Sequence, residues 1–315
     1  MSSSFAAPRL LRSLVRAALF STAAGIAAGA ATAWWGNREL THFELKKVEL
    51  PILEPGVLGG GEFRLLHVSD LHMIPGQDVK IAWVSALDAL EPDLVINTGD
   101  NLSDARAVPS VLAALGPLLS RPGAFVFGTN DYWAPRPTNP IPYLFGRKRK
   151  PSKQPLPWRD MRAAFVERGW HDATHQRVEF KAGGLRLAIA GVDDPHHDLD
   201  DYSTIAGAPN AAADLSLALT HSPEPRVLTL FERDGYQLSL SGHTHGGQLC
   251  LPGSRAIVTN CGIDRARVQG LHRFDSMWMH VSNGLGTSKF VPFRLFCRPS
   301  ATLLRITERA SSSAA

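Results

Sequence analysis

Two histidines, His243 and His245, lie one residue apart in the segment LSLSGHTHGGQLC, directly after an apolar run that is typical of a buried strand. Neutral imidazole nitrogens are among the commonest metal ligands in proteins. The flanking glycines permit a close approach of the backbone, and two imidazoles in an extended turn can face different ions. The spacing therefore predicts metal chemistry at this glycine-rich corner.

Ligand-type side chains follow other strand-like runs in the same manner. The apolar runs in FRLLHVSD, DLVINTGD, GAFVFGTND and LSLALTHS are each followed by an aspartate, histidine or asparagine. Ligands of α/β proteins bind beyond the carboxyl ends of the strands, so these side chains should converge at one edge. The candidate metal ligands are Asp70, His72, Asp100, Asn130, His221, His243 and His245.

Seven donors are more than one ion normally takes, and they predict a pair of divalent ions. A set that mixes imidazole with carboxylate suits Mn, Fe or Zn better than Ca, which prefers oxygen ligands alone, and Mg is the weaker candidate. We therefore expect two divalent metal ions as the cofactor, held beyond the ends of the strands.

The apolar runs and the segments between them predict an α/β fold. Six runs rich in Val, Ile, Leu and Phe are bounded by Gly, Pro, Asp or Asn, which indicates buried strands. Between the first two runs, VKIAWVSALDALEP repeats apolar residues at three-residue steps, as an amphipathic helix requires. This alternation predicts parallel pairing in the first half, whereas the strand-rich last third favours a mixed sheet or two sheets face to face.

The first forty residues differ in kind from the remainder. Arg9, Arg12 and Arg16 precede a stretch without charge that continues up to Arg38 and is long enough to span a bilayer. The stretch also contains Ala-Thr-Ala, which has the small-residue form of a signal-peptidase site, so residues 1–40 are either a membrane anchor or a signal segment. We favour a single-pass anchor with the following domain outside the cytoplasm, although basic residues after the stretch weaken that charge asymmetry.

The remaining boundaries follow from composition. Residues 41–61 are predicted as a linker and residues 62–308 as the folded domain, since 44% of the 315 residues are hydrophobic and 20% are charged. Within the domain, residues 135–158 are dense in proline and carry a basic cluster, which predicts a long cap loop on the surface. Residues 309–315 are predicted to fray. The net charge of +4 does not identify an anionic partner by itself.

In this order, the motifs DLH, GDN, GTND, THS and GHTHGGQ resemble those of the calcineurin-like metallophosphoesterase family, and more narrowly its bacterial membrane-associated, YkuE-like branch. The resemblance covers about residues 62–308. It implies phosphoesterase activity and a four-layer α/β/β/α sandwich of two mixed β-sheets, with a dinuclear metal centre on the loops. The implied ligands are Asp70, His72 and His245 for one ion, Asn130, His221 and His243 for the other, and Asp100 as the bridge.

One motif departs from the family pattern. The resemblance implies Gly-Asn-His followed by Asp or Glu, with the Asn on a metal and the His protonating the leaving group, whereas this chain reads Gly-Thr-Asn-Asp. If Asn130 is the ligand, Asp131 takes the place of the histidine; if the glycines are aligned, Thr129 replaces the ligand and Asn130 the histidine. We prefer the first arrangement because asparagine is the better metal ligand. The remaining candidate proton donors are Asp131 with a raised pKa, His196 or His197 in DDPHHD, and solvent.

These features predict a metal-dependent hydrolase that cleaves a phosphodiester or pyrophosphate bond. Without the family histidine, we expect a preference for leaving groups that need little protonation. The apolar N-terminal segment and the basic cap favour a lipid-linked or nucleotide-linked phosphoester near a membrane. The alternatives are a metal-binding scaffold with decayed catalysis and a nuclease. A nucleic-acid partner is disfavoured because only the cap combines basic with aromatic residues.

Overall fold

The computed structural model describes residues 29–32, 34–137 and 152–310. Most of the predicted N-terminal segment, most of the predicted cap and the last five residues lie outside the described residues. Residues 34–39 are helical. Among the described residues, no helix has both the length and the apolar character needed to cross a bilayer.

The described residues form two six-stranded sheets, each with parallel and antiparallel neighbours. The first sheet has the order β1 (Glu44–Leu53), β14 (Ser300–Glu308), β2 (Phe63–Val68), β3 (Leu94–Asn97), β4 (Gly123–Phe125) and β5 (His171–Asp172). The second has the order β12 (Gly270–Phe274), β13 (Met277–Val281), β9 (Leu238–Ser241), β8 (Leu215–Leu219), β7 (Leu185–Gly191) and β6 (Gln176–Ala182). A separate two-stranded sheet joins β10 (Cys250–Leu251) to β11 (Arg255–Ala256).

A hydrophobic core lies between the two large sheets. Leu65 and Ile96 of the first sheet pack in the same buried cluster as Leu187 and Leu217 of the second. Successive strand residues point to opposite faces, so one face of each sheet supplies this core and the other face remains for helices. Full burial of each such side chain contributes about 1.5–3 kcal/mol relative to exposure.

Helices cover both outer faces of the sandwich. After the helical residues 34–39, the α-helices in the described part of the chain are α1 (Asp78–Ser85), α2 (Val108–Leu115), α3 (Thr129–Tyr132), α4 (Trp158–Glu167) and α5 (Pro225–Arg233). Helices α1, α2 and α4 share a buried cluster with residues of β2, β3 and β4, and α5 packs against the outer side of β7, β8 and β13. The arrangement is a four-layer α/β/β/α sandwich of two mixed sheets, which confirms the predicted fold class.

The predicted linker over residues 41–61 is wrong for its first half. Strand β1 lies at the edge of the first sheet, parallel to β14. Leu50 and Leu53 of β1 are fully buried in the core between the sheets. Pro51 is compatible with the strand because an edge position does not require a ladder hydrogen bond from every residue.

The predicted amphipathic helix after β2 is shorter than its sequence pattern. Helix α1 ends at Ser85, and the chain continues as the 3₁₀ helix Ala86–Leu90. Glu91 then adopts a left-handed backbone conformation before the chain enters β3. Further 3₁₀ helices within the described ranges are Leu118–Ser120, Pro195–His197, Tyr202–Thr204, His245–Gly247 and Arg265–Arg267.

Candidate metal centre

The predicted ligands lie in loops that follow strands of both sheets. Strands β2, β3 and β4 of the first sheet pair in parallel, as do β7, β8 and β9 of the second. Parallel neighbours end at the same edge, so the loops after these six strands face one another across the sandwich. The structure therefore brings residues from distant parts of the sequence to one location.

Five of the seven predicted ligands have a left-handed backbone. Their φ values lie between 42° and 67°, and they belong to Asp70, His72, Asp100, His243 and His245. For residues other than glycine this conformation is uncommon and costs on the order of 1–3 kcal/mol each, and such residues cluster at functional sites. The tight turns direct these side chains back toward the strand ends.

Asp70, His72 and His245 form the first ligand group. Each can offer one donor atom, and these three atoms lie within 4.8 Å of one another. His72 Nε2 and His245 Nε2 are 3.2 Å apart. Two nitrogens bound at 2.0–2.1 Å to one tetrahedral ion would lie roughly 3.3 Å apart. The group therefore has the size that a zinc-like ion requires.

The second ligand group contains His221 and His243 together with Asp194, whose donor atoms again lie within 4.8 Å of one another. His221 Nδ1 donates to the carbonyl oxygen of Thr98 at 2.7 Å, so Nε2 is the ring nitrogen that remains for an ion. The Nε2 atoms of His221 and His243 are both buried, and neither has a hydrogen-bond partner in the described residues. Orphaned acceptors of this kind are expected at an ion site.

Asp100 lies between the two groups. Its Oδ2 atom is 3.5 Å from His72 Nε2 and 3.4 Å from His221 Nε2. Burial opposes ionisation of Asp100, yet His221 and His72 hold the pKa of this carboxyl well below its usual range. A charged carboxylate shared by two imidazole groups has the position that a bridging ligand needs.

The protonation states also suit divalent cations. Burial lowers the pKa of His72 to about 4, and it lowers the pKa of His243 and His245 well below the ordinary histidine range. These three imidazoles are therefore neutral near pH 7, as metal ligands must be. His221 differs, because burial opposes its protonation but Asp100 and Asp194 raise its pKa well above the ordinary value, so a bound cation would displace a proton from this ring. His245 Nδ1 contacts Gly286 O at 3.1 Å, closer than its 3.3 Å approach to Arg294, so the hydrogen lies on Nδ1 and the lone pair on Nε2. The donor set fits borderline divalent ions.

Asn130 and Asp131, which the sequence assigned to ligation and proton donation, both support the loop that carries Asp100. Asn130 donates its backbone N–H to Asp100 Oδ1 at 2.8 Å and its side-chain amide to Asp100 Oδ2 at 2.7 Å. The carboxylate of Asp131 is fully buried and accepts the backbone N–H groups of Asp100, Asn101, Leu102 and Gly128. Burial raises the pKa of Asp131 to about 7, but two N–H donors occupy each oxygen, so the group organises backbone and has no free oxygen to offer a substrate.

His196, the other predicted proton donor, lies beside the second ligand group. Its ring centroid is 4.3 Å from that of His243. His196 Nδ1 lies 3.4 Å from Glu224 Oε1, and both side chains are largely buried. A carboxylate behind an imidazole fixes the orientation of the ring. His196 thus lies beside the second ligand group, whereas backbone N–H groups enclose the carboxylate of Asp131.

Two parts of the site were not identified from the sequence. The sequence does not identify Asp194, because Asp-Asp-Pro is more often a turn with locally bonded carboxylates. The second part is a buried chain of hydrogen bonds that ends on Asp70. Its links run from His280 Nδ1 to His67 Nδ1 (2.9 Å), from His67 Nε2 to Thr98 Oγ1 (3.0 Å), from Thr98 to Ser69 (2.7 Å) and from Ser69 to Asp70 Oδ2 (2.6 Å). The only sequence signal for these residues is that they lie in or directly after predicted strands.

The comparisons with known proteins agree with this geometry. The family model of the calcineurin-like phosphoesterases matches residues 63–247, which include all seven predicted ligands and Asp194. The chain belongs to this family and is a hydrolase of the metallophosphoesterase class. Thus the recognition from the motifs is confirmed.

Three curated relatives span most of this chain. The metallophosphoesterase YkuE of Bacillus subtilis (strain 168) is 24% identical over 89% of this chain and 93% of its own length. The phosphodiesterase YaeI of Escherichia coli (strain K12) is 26% identical over 91% of this chain and 97% of its own length. The transmembrane protein with metallophosphoesterase domain of Bos taurus is 27% identical over 82% of this chain and 55% of its own length.

Gly242 should be required for the first ligand group. A Cβ on this residue would collide with Ser69 Oγ and Asp70 Oδ2, displacing the carboxylate of Asp70. We expect Gly242→Ala to weaken Mn²⁺ binding by about tenfold or more, measured by isothermal titration calorimetry, since loss of ligand support costs about 10–100-fold in affinity. Gly61→Ala is the matched control, because its Cβ would meet only Leu58 O at 3.3 Å. Wild-type affinity in Gly242→Ala would contradict the packing argument.

Proposed function

We propose that this chain is a dinuclear phosphoesterase that hydrolyses a phosphodiester or pyrophosphate bond. The position of Asp100 carries the proposal, because one oxygen lies within 3.5 Å of an imidazole from each ligand group. A shared carboxylate between two sets of donors is typical of enzymes with two ions. The relative YaeI, which is named a phosphodiesterase, supports the choice of a diester.

The metals best suited to the site are Mn, Fe or Zn, since both ligand groups combine carboxylate with imidazole. Two bound divalent ions would supply a water nucleophile near neutral pH and neutralise charge on the phosphoryl group. The protein contributes orientation: Asn130 holds the carboxylate of Asp100 with two hydrogen bonds, and Asp131 fixes the backbone around it.

His196 is our candidate for protonation of the leaving group. It lies beside His243, and Glu224 fixes the orientation of its ring. The motif Gly-Thr-Asn-Asp lacks the histidine that the family pattern implies, which favours leaving groups that need little protonation. We therefore infer a preference for pyrophosphates and activated diesters over alkyl esters.

We further propose a lipid-linked substrate at a membrane, with residues 1–40 as the anchor and the catalytic domain outside the cytoplasm. The uncharged stretch before Arg38 and the name of the bovine relative support this location. A cavity of about 440 Å³ supports the substrate class, because it is lined by His72 of the first ligand group and by Leu40, which follows the N-terminal helical residues. Its other apolar lining residues include Phe43, Ile74, Leu285 and Pro292, and its basic ones are Lys80, Lys289 and Arg294.

Metal-dependent turnover of bis(p-nitrophenyl) phosphate separates an enzyme from a metal-binding scaffold. We expect activity with Mn²⁺, its loss with EDTA, and a fall in kcat of roughly 10²-fold or more in Asp100→Asn, because a shared ligand influences several kcal/mol of transition-state stabilisation. Asp160→Asn, an exposed carboxylate on α4, should retain wild-type activity. An Asp100→Asn protein with undiminished activity would exclude the proposed centre.

A second experiment addresses His196. We expect His196→Gln to slow hydrolysis of an alkyl phosphodiester by roughly 10²-fold, the usual size of general acid catalysis, and to change the nitrophenyl diester rate much less. His197→Gln is the matched control on the adjacent ring. Equal losses on both substrates would rule out a proton-donor role and leave only a structural one.

The cavity predicts a difference between lipid and soluble substrates. We expect Leu40→Asp to reduce turnover of a polyprenyl pyrophosphate in detergent micelles by about tenfold, because a charged side chain in the wall opposes burial of an apolar tail. Turnover of bis(p-nitrophenyl) phosphate should be unchanged. Val57→Asp alters an exposed apolar residue outside the cavity lining and should affect neither substrate. Parallel losses in Leu40→Asp would argue against a lipid-binding cavity.

A further inference from the structure

We propose that Asp194 is a ligand of the second ion and takes the place of the amide ligand that the family pattern implies. The proposal rests on the dinuclear centre proposed above and specifies the ligands of one of its ions. Asp194 lies in the loop after β7, in an Asp-Asp-Pro motif that is more often an ordinary turn. The structure instead groups it with His221 and His243.

The first observation is that the nitrogen atoms of Asn130 hold the shared carboxylate. Both its backbone N–H and its side-chain amide donate to the carboxylate of Asp100. An amide oxygen turned toward Asp100 would face a carboxylate oxygen at 2.7 Å, which is repulsive, so the amide hydrogens must point there. The role of Asn130 in this geometry is to orient the shared carboxylate.

The second observation is the environment of Asp194. Its side chain is fully buried, and in the described part of the chain no lysine or arginine forms an ion pair with it. Burial of a carboxylate is costly unless a cation and hydrogen bonds compensate. The neighbouring Nε2 atoms of His221 and His243 are also buried and have no hydrogen-bond partner in the described residues. One cation among these three groups would satisfy them together.

The third observation is how Asp194 is held. Asp194 Oδ2 accepts the hydroxyl of Thr129 at 2.5 Å and its backbone N–H at 3.3 Å, and Oδ1 accepts the backbone N–H of His196 at 3.0 Å. A carboxylate has about four lone-pair positions, so Oδ1 keeps one for a further partner. Thr129 therefore occupies the first position after the motif glycine as a support for the ligand, with Asp194 supplying the donor atom.

This exchange changes the charge of the second site. With Asp194 and the shared Asp100, the second ion would have two carboxylates and two imidazoles, one negative charge more than with a neutral amide. Additional ligand charge raises the affinity for a cation. The second ion should consequently be retained more firmly than an amide ligand would allow.

Metal stoichiometry tests the proposal without reference to catalysis. The full-length protein is dialysed against Mn²⁺, and bound metal is counted by elemental analysis while EPR reports whether the ions are coupled. We expect two coupled ions in the wild type, and one isolated Mn²⁺ signal in Asp194→Ala, where the first group still binds and shows that the protein is folded. Asp193→Asn, the adjacent carboxylate, which bonds the Tyr132 hydroxyl, should retain two ions.

A rescue variant distinguishes a ligand from a structural support. Thr129 Oγ1 lies against Asp194 Oδ2, so an asparagine at 129 extends an amide oxygen toward the position that Asp194 vacates. We expect Thr129→Asn to restore the second ion in the Asp194→Ala background. Two coupled ions in Asp194→Ala alone, or no recovery in the double variant, would overturn the proposal. A wild type that binds fewer than two ions would instead overturn the dinuclear centre itself.

Discussion

Two ring nitrogens, His72 Nε2 and His245 Nε2, face each other at 3.2 Å in a buried pocket, and the site depends on how the repulsion between their lone pairs is relieved. Both rings are engaged at Nδ1, by Ser103 and Gly286, so neither can turn away without losing a partner. A lone pair on each nitrogen is repulsive unless a proton or a cation is shared. Because Asp70 and Asp100 add negative charge beside these nitrogens, a divalent cation satisfies the pocket more fully than a proton.

The loops maintain this arrangement through backbone strain and close packing. The left-handed turns at Asp70, His72 and Asp100 would relax in an isolated loop, and hydrogen bonds to neighbouring loops retain them. The carboxylate of Asp131 accepts three backbone N–H groups from the turn that contains Asp100 and a fourth from Gly128, and so fixes that turn. The rigid sandwich beneath supplies the strand ends from which these turns begin. A pair of ions would therefore bind to loops that are already positioned.

Much of this architecture could be predicted from the sequence because it depends on local patterns. Apolar runs followed by Asp or His placed six strands and the loops that carry Asp70 and His221 correctly, since strand ends converge in any α/β sheet. Strand β1 could not be recognised, because its partner β14 lies more than 240 residues later and its own sequence contains Pro51. The hydrogen-bond partners of Asp131 and the place of Asp194 in the site could not be predicted either. Their partners are decided by which loops approach in three dimensions, and neither motif encodes that approach.

In the hydrogen-bond chain that ends on Asp70, each donor and acceptor role follows from the next link toward Asp70. The hydroxyl of Thr98 donates to Ser69, so His67 must donate from Nε2 and accept at Nδ1, and His280 must supply the hydrogen there. His67 belongs to β2 in one sheet and His280 to β13 in the other. A buried hydrogen-bond network thus connects the two sheets of the sandwich. A shift of one sheet relative to the other would break or reverse a hydrogen bond in the chain that holds Asp70. The position of this candidate ligand therefore depends on the alignment of the two sheets.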